Sequence, residues 1–249
     1  MGSSNEPGSA IVLSVVVPVY NEQDNIEPLL QEIITVIEPF DIGYEVLYVD
    51  DCSVDGSEVL LRQLLTRYPR LRVLRHQQRS GQSTAICSGI MAARGEWIVT
   101  LDGDGQNPPA EIATLWQHPQ RQSEQVGMLA GWRKSRHDDW IKRLSSRIAN
   151  VVRSSILGDA TPDTGCGLKL FQRQLFLGLP YFDHMHRFLP ALVRRAGFEV
   201  VSVPVAHRSR QRGVSKYGLN NRLWAGLVDL AGVYWLKRRS RITAVEELE

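Results

Sequence analysis

The sequence predicts an α/β fold in which a mostly parallel central sheet is flanked by helices. Short apolar runs rich in β-branched residues recur through the first half of the chain, as in buried parallel strands. Between them lie segments whose apolar residues repeat at helical spacing. Strands and helices that alternate in this way form right-handed crossover units, which build a parallel sheet.

The first half of the chain divides into these elements in order. Strands are predicted over residues 11–17, 45–49, 71–74, 97–101 and 126–130. Helices are predicted over residues 25–38, 57–68, 81–94 and 109–118. The first strand should end at Pro18, which lacks a backbone N–H, and Pro109 suits a position near a helix start.

The second half is less regular. We expect a polar loop over residues 131–139, a helix over 140–157, a connection over 159–167, a helix over 184–196, a strand over 199–205, a basic loop over 207–216 and a long helix over 217–237. The predicted organisation is one large domain over residues 11–216 and a C-terminal amphipathic helix over 217–241, with tails at 1–10 and 242–249.

Composition and charge argue against several classes of protein. The net charge of +2 gives no broad basic field, so no nucleic acid partner is expected. Cys52, Cys87 and Cys166 lack any metal-binding spacing and indicate a reducing compartment. No apolar run reaches the roughly 18–20 residues that span a bilayer, since Asp229 interrupts the longest one.

Polar and acidic residues follow three of the predicted strands. Residues 18–22 follow the first strand, Asp50 and Asp51 the second, and Asp102 and Asp104 the fourth. Ligands of open α/β sheets bind beyond the carboxyl ends of the strands. We therefore expect these groups to line one crevice.

Asp102 and Asp104 are candidate metal ligands. Two carboxylates one residue apart can reach one hard cation such as Mg²⁺ or Mn²⁺, which usually also binds substrate phosphates. An Asp–Gly turn solvated at a strand end is the simpler alternative. The segment Gln106-Asn107-Pro108-Pro109, directly after the pair, weakens that alternative.

The other two strand ends suit a nucleotide. A carboxylate at Asp50 or Asp51 can accept from a base N–H or a ribose hydroxyl, while a helix N-cap is the structural alternative. Tyr20 offers a ring on which a base can stack, and Glu22 offers a further polar contact. Glu22 also suits a strand-to-helix turn, where the helix dipole favours an acid.

Four segments in order carry a family resemblance: Val17-Pro18-Val19-Tyr20-Asn21-Glu22, Val49-Asp50-Asp51-Cys52-Ser53-Val54-Asp55-Gly56, Asp102-Gly103-Asp104-Gly105-Gln106-Asn107-Pro108-Pro109 and Arg210-Gln211-Arg212-Gly213-Val214-Ser215-Lys216-Tyr217. Together they resemble family 2 glycosyltransferases, which have the Rossmann-like GT-A fold. The pattern is most similar to the polyprenyl-phosphate glycosyltransferases, a group that includes dolichol-phosphate mannose synthase. The resemblance covers roughly residues 12–236.

The resemblance implies an enzyme that transfers a sugar from a nucleotide-sugar to a polyprenyl phosphate with inversion. It assigns the nucleoside to Pro18, Tyr20, Glu22 and Asp51, and an Mg²⁺ or Mn²⁺ ion to Asp102, Asp104 and Gln106. Asp50 and Asp102 are expected to be further nucleotide-binding residues. It assigns the donor diphosphate and the acceptor phosphate to Arg133, Arg147, Arg210, Ser215 and Lys216. A UDP-sugar is favoured as donor by analogy, with GDP-mannose open.

The physical argument for the acceptor is electrostatic. Arginine suits phosphate because its guanidinium can donate two parallel hydrogen bonds. Arg143 and Arg153 are not assigned to phosphate and are expected on a solvated helix face. A lipid phosphate is already an anionic nucleophile and needs no general base. A sugar hydroxyl would need one, for which Asp163 is a candidate, and a non-catalytic nucleotide-sugar-binding subunit is the third alternative.

The C-terminal helix suggests where the protein acts. Trp and Tyr residues on its apolar face, next to Lys237, Arg238 and Arg239, fit a helix lying on an anionic membrane. An ordinary helix packed on the domain, or a contact with a membrane partner or a second subunit, are the alternatives. Several bacterial relatives carry a transmembrane pair after this domain, and no such pair is expected within residues 1–249. We expect a cytoplasmic protein, peripheral on the inner face of the cytoplasmic membrane.

Overall fold

The computed structural model describes residues 10–133, 153–159, 161–209 and 220–239. Within these residues, seven strands form one sheet. They are β1 (Leu13–Val19), β2 (Tyr44–Asp50), β3 (Leu71–Arg75), β4 (Trp97–Thr100), β5 (Val126–Arg133), β6 (Lys169–Gln172) and β7 (Glu199–Val205). Their order across the sheet is β3-β2-β1-β4-β6-β5-β7.

Most neighbouring strands run parallel. β1 to β4 form a parallel block, and β5 pairs with β7 in parallel. β6 lies antiparallel between β4 and β5 and joins the two blocks. The helices of the described residues include α1 (Gln23–Ile37), α2 (Ser57–Arg67), α3 (Gln82–Ala92), α4 (Ala110–Trp116), α5 (Arg173–Leu177), α6 (Leu189–Arg195) and α7 (Asn220–Arg239).

Helices cover both faces of the sheet, which explains why its central strands are mostly apolar. Successive side chains of β1 point to opposite faces, so Val15 packs in one core cluster with Ile26 of α1. Val16 packs in the other cluster, with Ile90 of α3. The predicted α/β class with a mostly parallel sheet is confirmed.

Several boundaries differ from the prediction. β1 continues through Pro18 because its pairing with β4 ends at Val16, so the missing N–H costs no bond on that side. Residues 131–133, predicted as loop, extend β5 along β7. The predicted helix over 184–196 is instead a 3-10 turn, Met185–Arg187, followed by α6, whose Pro190 suits a new helix start.

β6 and α5 were not predicted. β6 has four residues, and the polar Lys169 in this run conceals the alternation that marks a strand. Residues 153–157 are helical, in agreement with the end of the predicted helix over 140–157. The remaining residues of that helix lie outside the described part of the chain.

α7 packs on the domain through one side and exposes apolar residues on the other. Val233 is buried in the second core cluster. Nδ1 of His184 lies 3.0 Å from Oδ2 of Asp229, and this contact links α7 to the loop before α6. Exposed large apolar residues on α7 are Leu227 (56%), Val228 (69%), Tyr234 (40%) and Trp235 (58%). Among the described helices, none has the length and apolar character needed to cross a bilayer.

Candidate active site

Three strand ends meet at one edge of the sheet, as the sequence predicts. β1 lies between β2 and β4, so the loops that follow these strands are neighbours. The backbone N–H of Asp51 donates to the carbonyl of Val19 at 2.9 Å. A Cβ added to Gly103 would lie 2.7 Å from the carbonyl oxygen of Pro18, so this turn packs directly on the end of β1. We refer to the place where these three polar loops meet as the crevice.

Asp102 is the most perturbed acid of this crevice. Its Oδ1 accepts from Nε2 of Gln82 at 2.9 Å, and its Oδ2 accepts from Nδ2 of Asn107 at 3.3 Å. Burial raises the pKa of Asp102 to about 6, and the charge of Asp104 acts in the same direction. A part-buried, desolvated carboxylate beside a second acid is the electrostatic environment that a bound cation relieves.

The backbone around Asp104 and Gln106 forms a tight turn. The N–H of Gln106 donates to Oδ1 of Asp104 at 3.1 Å, and the carbonyl of Gln106 accepts from the N–H of Arg208 at 3.0 Å. The described residues include no group of three or more His, Cys, Asp or Glu side chains placed to hold a metal. A divalent ion held by Asp102 and Asp104 would therefore draw further oxygen ligands from a substrate or from water, as Mg²⁺ commonly does.

Asp50 and Asp51 both accept hydrogen bonds from the protein. Oδ1 of Asp50 accepts from the N–H of Ser53 at 3.0 Å, and its Oδ2 faces Nε of Arg75 at 3.3 Å. Oδ1 of Asp51 contacts Nδ1 of His76 at 2.8 Å. Asp50 thus supports the turn after β2, and Asp51, which is also buried, holds the segment before α3 by accepting from the N–H groups of Ser80 and Gly81.

The loop after β1 is held by the loop after β2. The N–H of Asn21 donates to Oγ of Ser53 at 2.8 Å, and the N–H of Glu22 donates to Oγ of Ser57 at 3.2 Å. Oε2 of Glu22 accepts from Nδ2 of Asn25 at 2.7 Å, so this side chain also supports the start of α1. These bonds fix the backbone directly after Tyr20.

Arg133 forms a two-pronged ion pair with Asp163. Nε of Arg133 lies 2.7 Å from Oδ2 of Asp163, and Nη2 donates to Oδ1 at 2.9 Å. Both side chains are nearly buried. Both oxygens of Asp163 therefore face Arg133, which is unlike the free carboxylate that a general base requires.

Sequence reasoning missed Lys169 and Arg208. Lys169 is buried, and its Nζ donates to the carbonyl of Cys166. Burial lowers its pKa, with the carboxylates of Asp102 and Asp163 among the groups that oppose the shift. Nothing in the sequence around this lysine predicts that it is buried close to Asp102 and Asp163.

Arg208 bonds to the loop that carries Asp104. Its Nε donates to the carbonyl of Gly105, and its guanidinium also pairs with Glu32 of α1 at 3.1 Å. Arg153, expected on a solvated face, is instead nearly buried and paired with Asp159. The predicted phosphate-binding residues Arg147, Arg210, Ser215 and Lys216 lie outside the described residues.

The chain is similar to known glycosyltransferases. Residues 14–178 match the family described as glycosyl transferase family 2. A dodecaprenyl-phosphate galacturonate synthase from Rhizobium johnstonii is 33% identical over 94% of this chain and 70% of its own length. An undecaprenyl-phosphate 4-deoxy-4-formamido-L-arabinose transferase from Edwardsiella ictaluri is 34% identical over 83% of this chain, which spans 63% of that relative.

Solved structures agree on the fold. A mannosyltransferase from Pyrobaculum calidifontis, in complex with GDP-mannose and Mn²⁺, superposes with a TM-score of 0.64 at 24% identity, over 95% of this chain and 67% of that one. A mannosyl-3-phosphoglycerate synthase from Rubrobacter xylanophilus gives a TM-score of 0.67 at 16% identity, over 95% of this chain and 77% of that one. At these identities the likeness concerns the GT-A fold alone.

Proposed function

Because the chain belongs to glycosyl transferase family 2 and is therefore a glycosyltransferase, we propose that it moves a sugar from a nucleotide-sugar to a polyprenyl phosphate with inversion. The observation that carries the choice of acceptor is the similarity, over 94% of this chain, to a relative named for dodecaprenyl phosphate. The four sequence segments that resemble polyprenyl-phosphate glycosyltransferases support the same choice.

The donor half of the site is proposed at the three strand ends. Asp102, Asp104 and Gln106 would hold Mg²⁺ or Mn²⁺, and the raised pKa of Asp102 fits a carboxylate that gains from a nearby cation. When bound, the ion would neutralise charge on the departing nucleoside diphosphate. Tyr20 and Asp51 would contact the base, together with Pro18, Asp50 and Glu22 as further nucleoside residues. We propose a UDP-sugar, with GDP-mannose as the alternative donor.

The acceptor half follows from charge. A lipid phosphate attacks without losing a proton, so the enzyme works by alignment and by stabilisation of charge. A sugar hydroxyl would need a base, and the ion pair of Asp163 with Arg133 makes Asp163 a poor one. Arg133 lies close enough to Asp102 for its positive charge to lower the pKa of that acid. It would therefore also lie near the phosphates of a donor bound at Asp102. Arg147, Arg210, Ser215 and Lys216 would supply the remaining phosphate contacts.

We place the membrane on the outer face of α7. Leu227, Val228, Tyr234 and Trp235 are exposed there, and the guanidinium of Arg238 lies 5.1 Å from the ring of Tyr234. Aromatic and aliphatic side chains beside basic ones suit an anionic bilayer surface. A peripheral enzyme at the inner face of the cytoplasmic membrane is the arrangement we propose, and a second subunit or a membrane partner is the alternative occupant.

The test is direct transfer. Purified protein is incubated with Mg²⁺ or Mn²⁺, undecaprenyl phosphate in detergent and radiolabelled UDP-galacturonate, UDP-glucose or GDP-mannose, and the lipid product is identified by mass spectrometry. We expect transfer with at least one donor and its loss in Asp104→Asn. Tight nucleotide binding without transfer would favour the binding-subunit alternative, and transfer to a glycan hydroxyl would favour the other enzyme class.

A further inference from the structure

Arg79 covers the ring that the proposed function assigns to the nucleobase. Its guanidinium carbon lies 4.3 Å from the centroid of the Tyr20 ring. We propose that Arg79 is a donor-binding residue that stacks on Tyr20 in the free enzyme and on the outer face of the base in the complex. The base would then lie between Tyr20 and Arg79. This inference rests on the proposed function and assigns it a residue that the family motifs do not contain.

The backbone that carries Arg79 is anchored at both ends. Residues 76–81 form a loop that we call the Arg79 loop. At its start, the N–H of His76 donates to the carbonyl of Asp50 at 2.9 Å. At its end, the N–H groups of Ser80 and Gly81 donate to the two carboxylate oxygens of Asp51, each at 2.8 Å. Gly81 has a φ of 90°, a conformation that favours glycine and turns the chain into α3.

This anchoring places Arg79 opposite Tyr20 while leaving its side chain free to shift. Arg79 is exposed to solvent at the tip of the loop. Atoms in van der Waals contact are about 3.5–4 Å apart, so one inserted base requires the guanidinium to retreat by roughly that distance. An exposed arginine makes such a shift by changing rotamers, without any movement of the loop backbone.

Moving the Arg79 guanidinium from the Tyr20 ring to the base should favour nucleotide binding. The guanidinium leaves one aromatic face and gains another, because a planar cation stacks on a base as well as on tyrosine. The complex therefore holds two stacking contacts, Tyr20 with the base and the base with Arg79, where the free enzyme holds one. Every base has an aromatic face, so Arg79 should raise the affinity for UDP and GDP alike. Recognition of the base edge would remain with Asp51.

The experiment is isothermal titration of the full chain with UDP, GDP and inorganic pyrophosphate, each with Mn²⁺. We expect Arg79→Ala to raise the Kd of both nucleotides about three- to tenfold, and to leave that of pyrophosphate unchanged. Arg79→Lys keeps the charge without the planar face and should fall between. Arg62→Ala is the control, because Arg62 is an exposed arginine on α2 whose partner is Glu58, and it should match the wild type.

Each outcome decides the inference. Equal loss of affinity for pyrophosphate and nucleotides would overturn it in favour of a phosphate contact. An unchanged or lower Kd for both nucleotides in Arg79→Ala would overturn it as well, since the contact with Tyr20 would then be incidental or would block the site. Wild-type protein that binds neither UDP nor GDP would contradict the proposed function, and this inference with it.

Discussion

Gly167→Ala should misplace Asp102 with little change elsewhere. A Cβ added to Gly167 would lie 2.2 Å from Oδ2 of Asp102 and 2.3 Å from its Cγ, whereas ordinary contact begins at 3.4 Å. Relief therefore needs a displacement of about 1 Å. Gly167 itself is held in place, because its carbonyl accepts from Oγ1 of Thr100 at 2.6 Å. The displacement falls on the carboxylate proposed as the metal ligand.

A misplacement of about 1 Å can cost roughly 100-fold in rate, so we expect kcat for sugar transfer to fall about 100-fold and the Mn²⁺ concentration needed for activity to rise. Overpacking of this kind typically also costs about 1–3 kcal/mol in stability. The control is Gly232→Ala on α7, where an added Cβ meets no atom within 4 Å. It should keep full activity and gain up to about 1 kcal/mol. If Gly167→Ala retains wild-type kcat and Mn²⁺ dependence, the close contact with Asp102 is not what positions the metal ligands.

Three further predictions concern pH, the buried ion pair and the membrane. Asp102 has a pKa of about 6, above its ordinary value of 3.8, so its charged form is disfavoured in the fold and the metal-free protein should lose stability as pH rises between these values. Mn²⁺ must displace a proton from Asp102 below pH 6, so calorimetry should show its Kd rising about tenfold for each unit by which pH is lowered below 6, and staying constant above pH 6; a flat profile from pH 5 to 8 would contradict this. Asp163→Ala should destabilise the protein by about 3 kcal/mol in urea unfolding, because it leaves Arg133 buried without its partner, and adding Arg133→Met should restore part of the loss; additive losses would refute the coupling. Trp235→Ser should weaken flotation with anionic vesicles without lowering Tm, whereas the buried Val233→Ser should lower Tm; equal flotation of Trp235→Ser and wild type would exclude this face as the membrane contact.

Periodicity predicted the parallel block β1 to β4 mainly because β1, β2 and β4 are buried along nearly their whole length, whereas the edge strand β3 is only partly buried. Buried strands are mostly apolar, and the amphipathic segments between them stand out. The antiparallel β6 escaped prediction for the opposite reason. Its position between β4 and β5 depends on pairing with strands distant in the sequence, and its buried Lys169, whose Nζ donates to the carbonyl of Cys166, interrupts the apolar pattern.

In the site, too, local sequence predicted some features, while others depend on tertiary contacts. Local motifs predicted which strand ends carry acids, and strand order then brought those ends together. Motifs did not predict which of these acids the fold uses for itself. Asp50 supports a turn through Ser53, and Asp163 pairs with Arg133 across 30 residues. Contacts of this kind depend on loops meeting in space, so only the structure separates an acid that holds the fold from one that faces the crevice.

The charges beneath the crevice constrain where phosphate binding can come from. Two cations, Arg133 and Lys169, lie close to two carboxylates, Asp102 and Asp163. The four charges sum to zero, so this group adds no net positive potential with which to attract the two polyanionic substrates that we propose. Arg208 is likewise paired, with Glu32. A site that brings a nucleotide diphosphate and a lipid phosphate together must screen their repulsion with further cations. We therefore expect donor binding to need two things: a metal at Asp102 and Asp104, and the arginine and lysine residues of segments 134–152 and 210–219. Loss of either should weaken donor binding even when the other is intact.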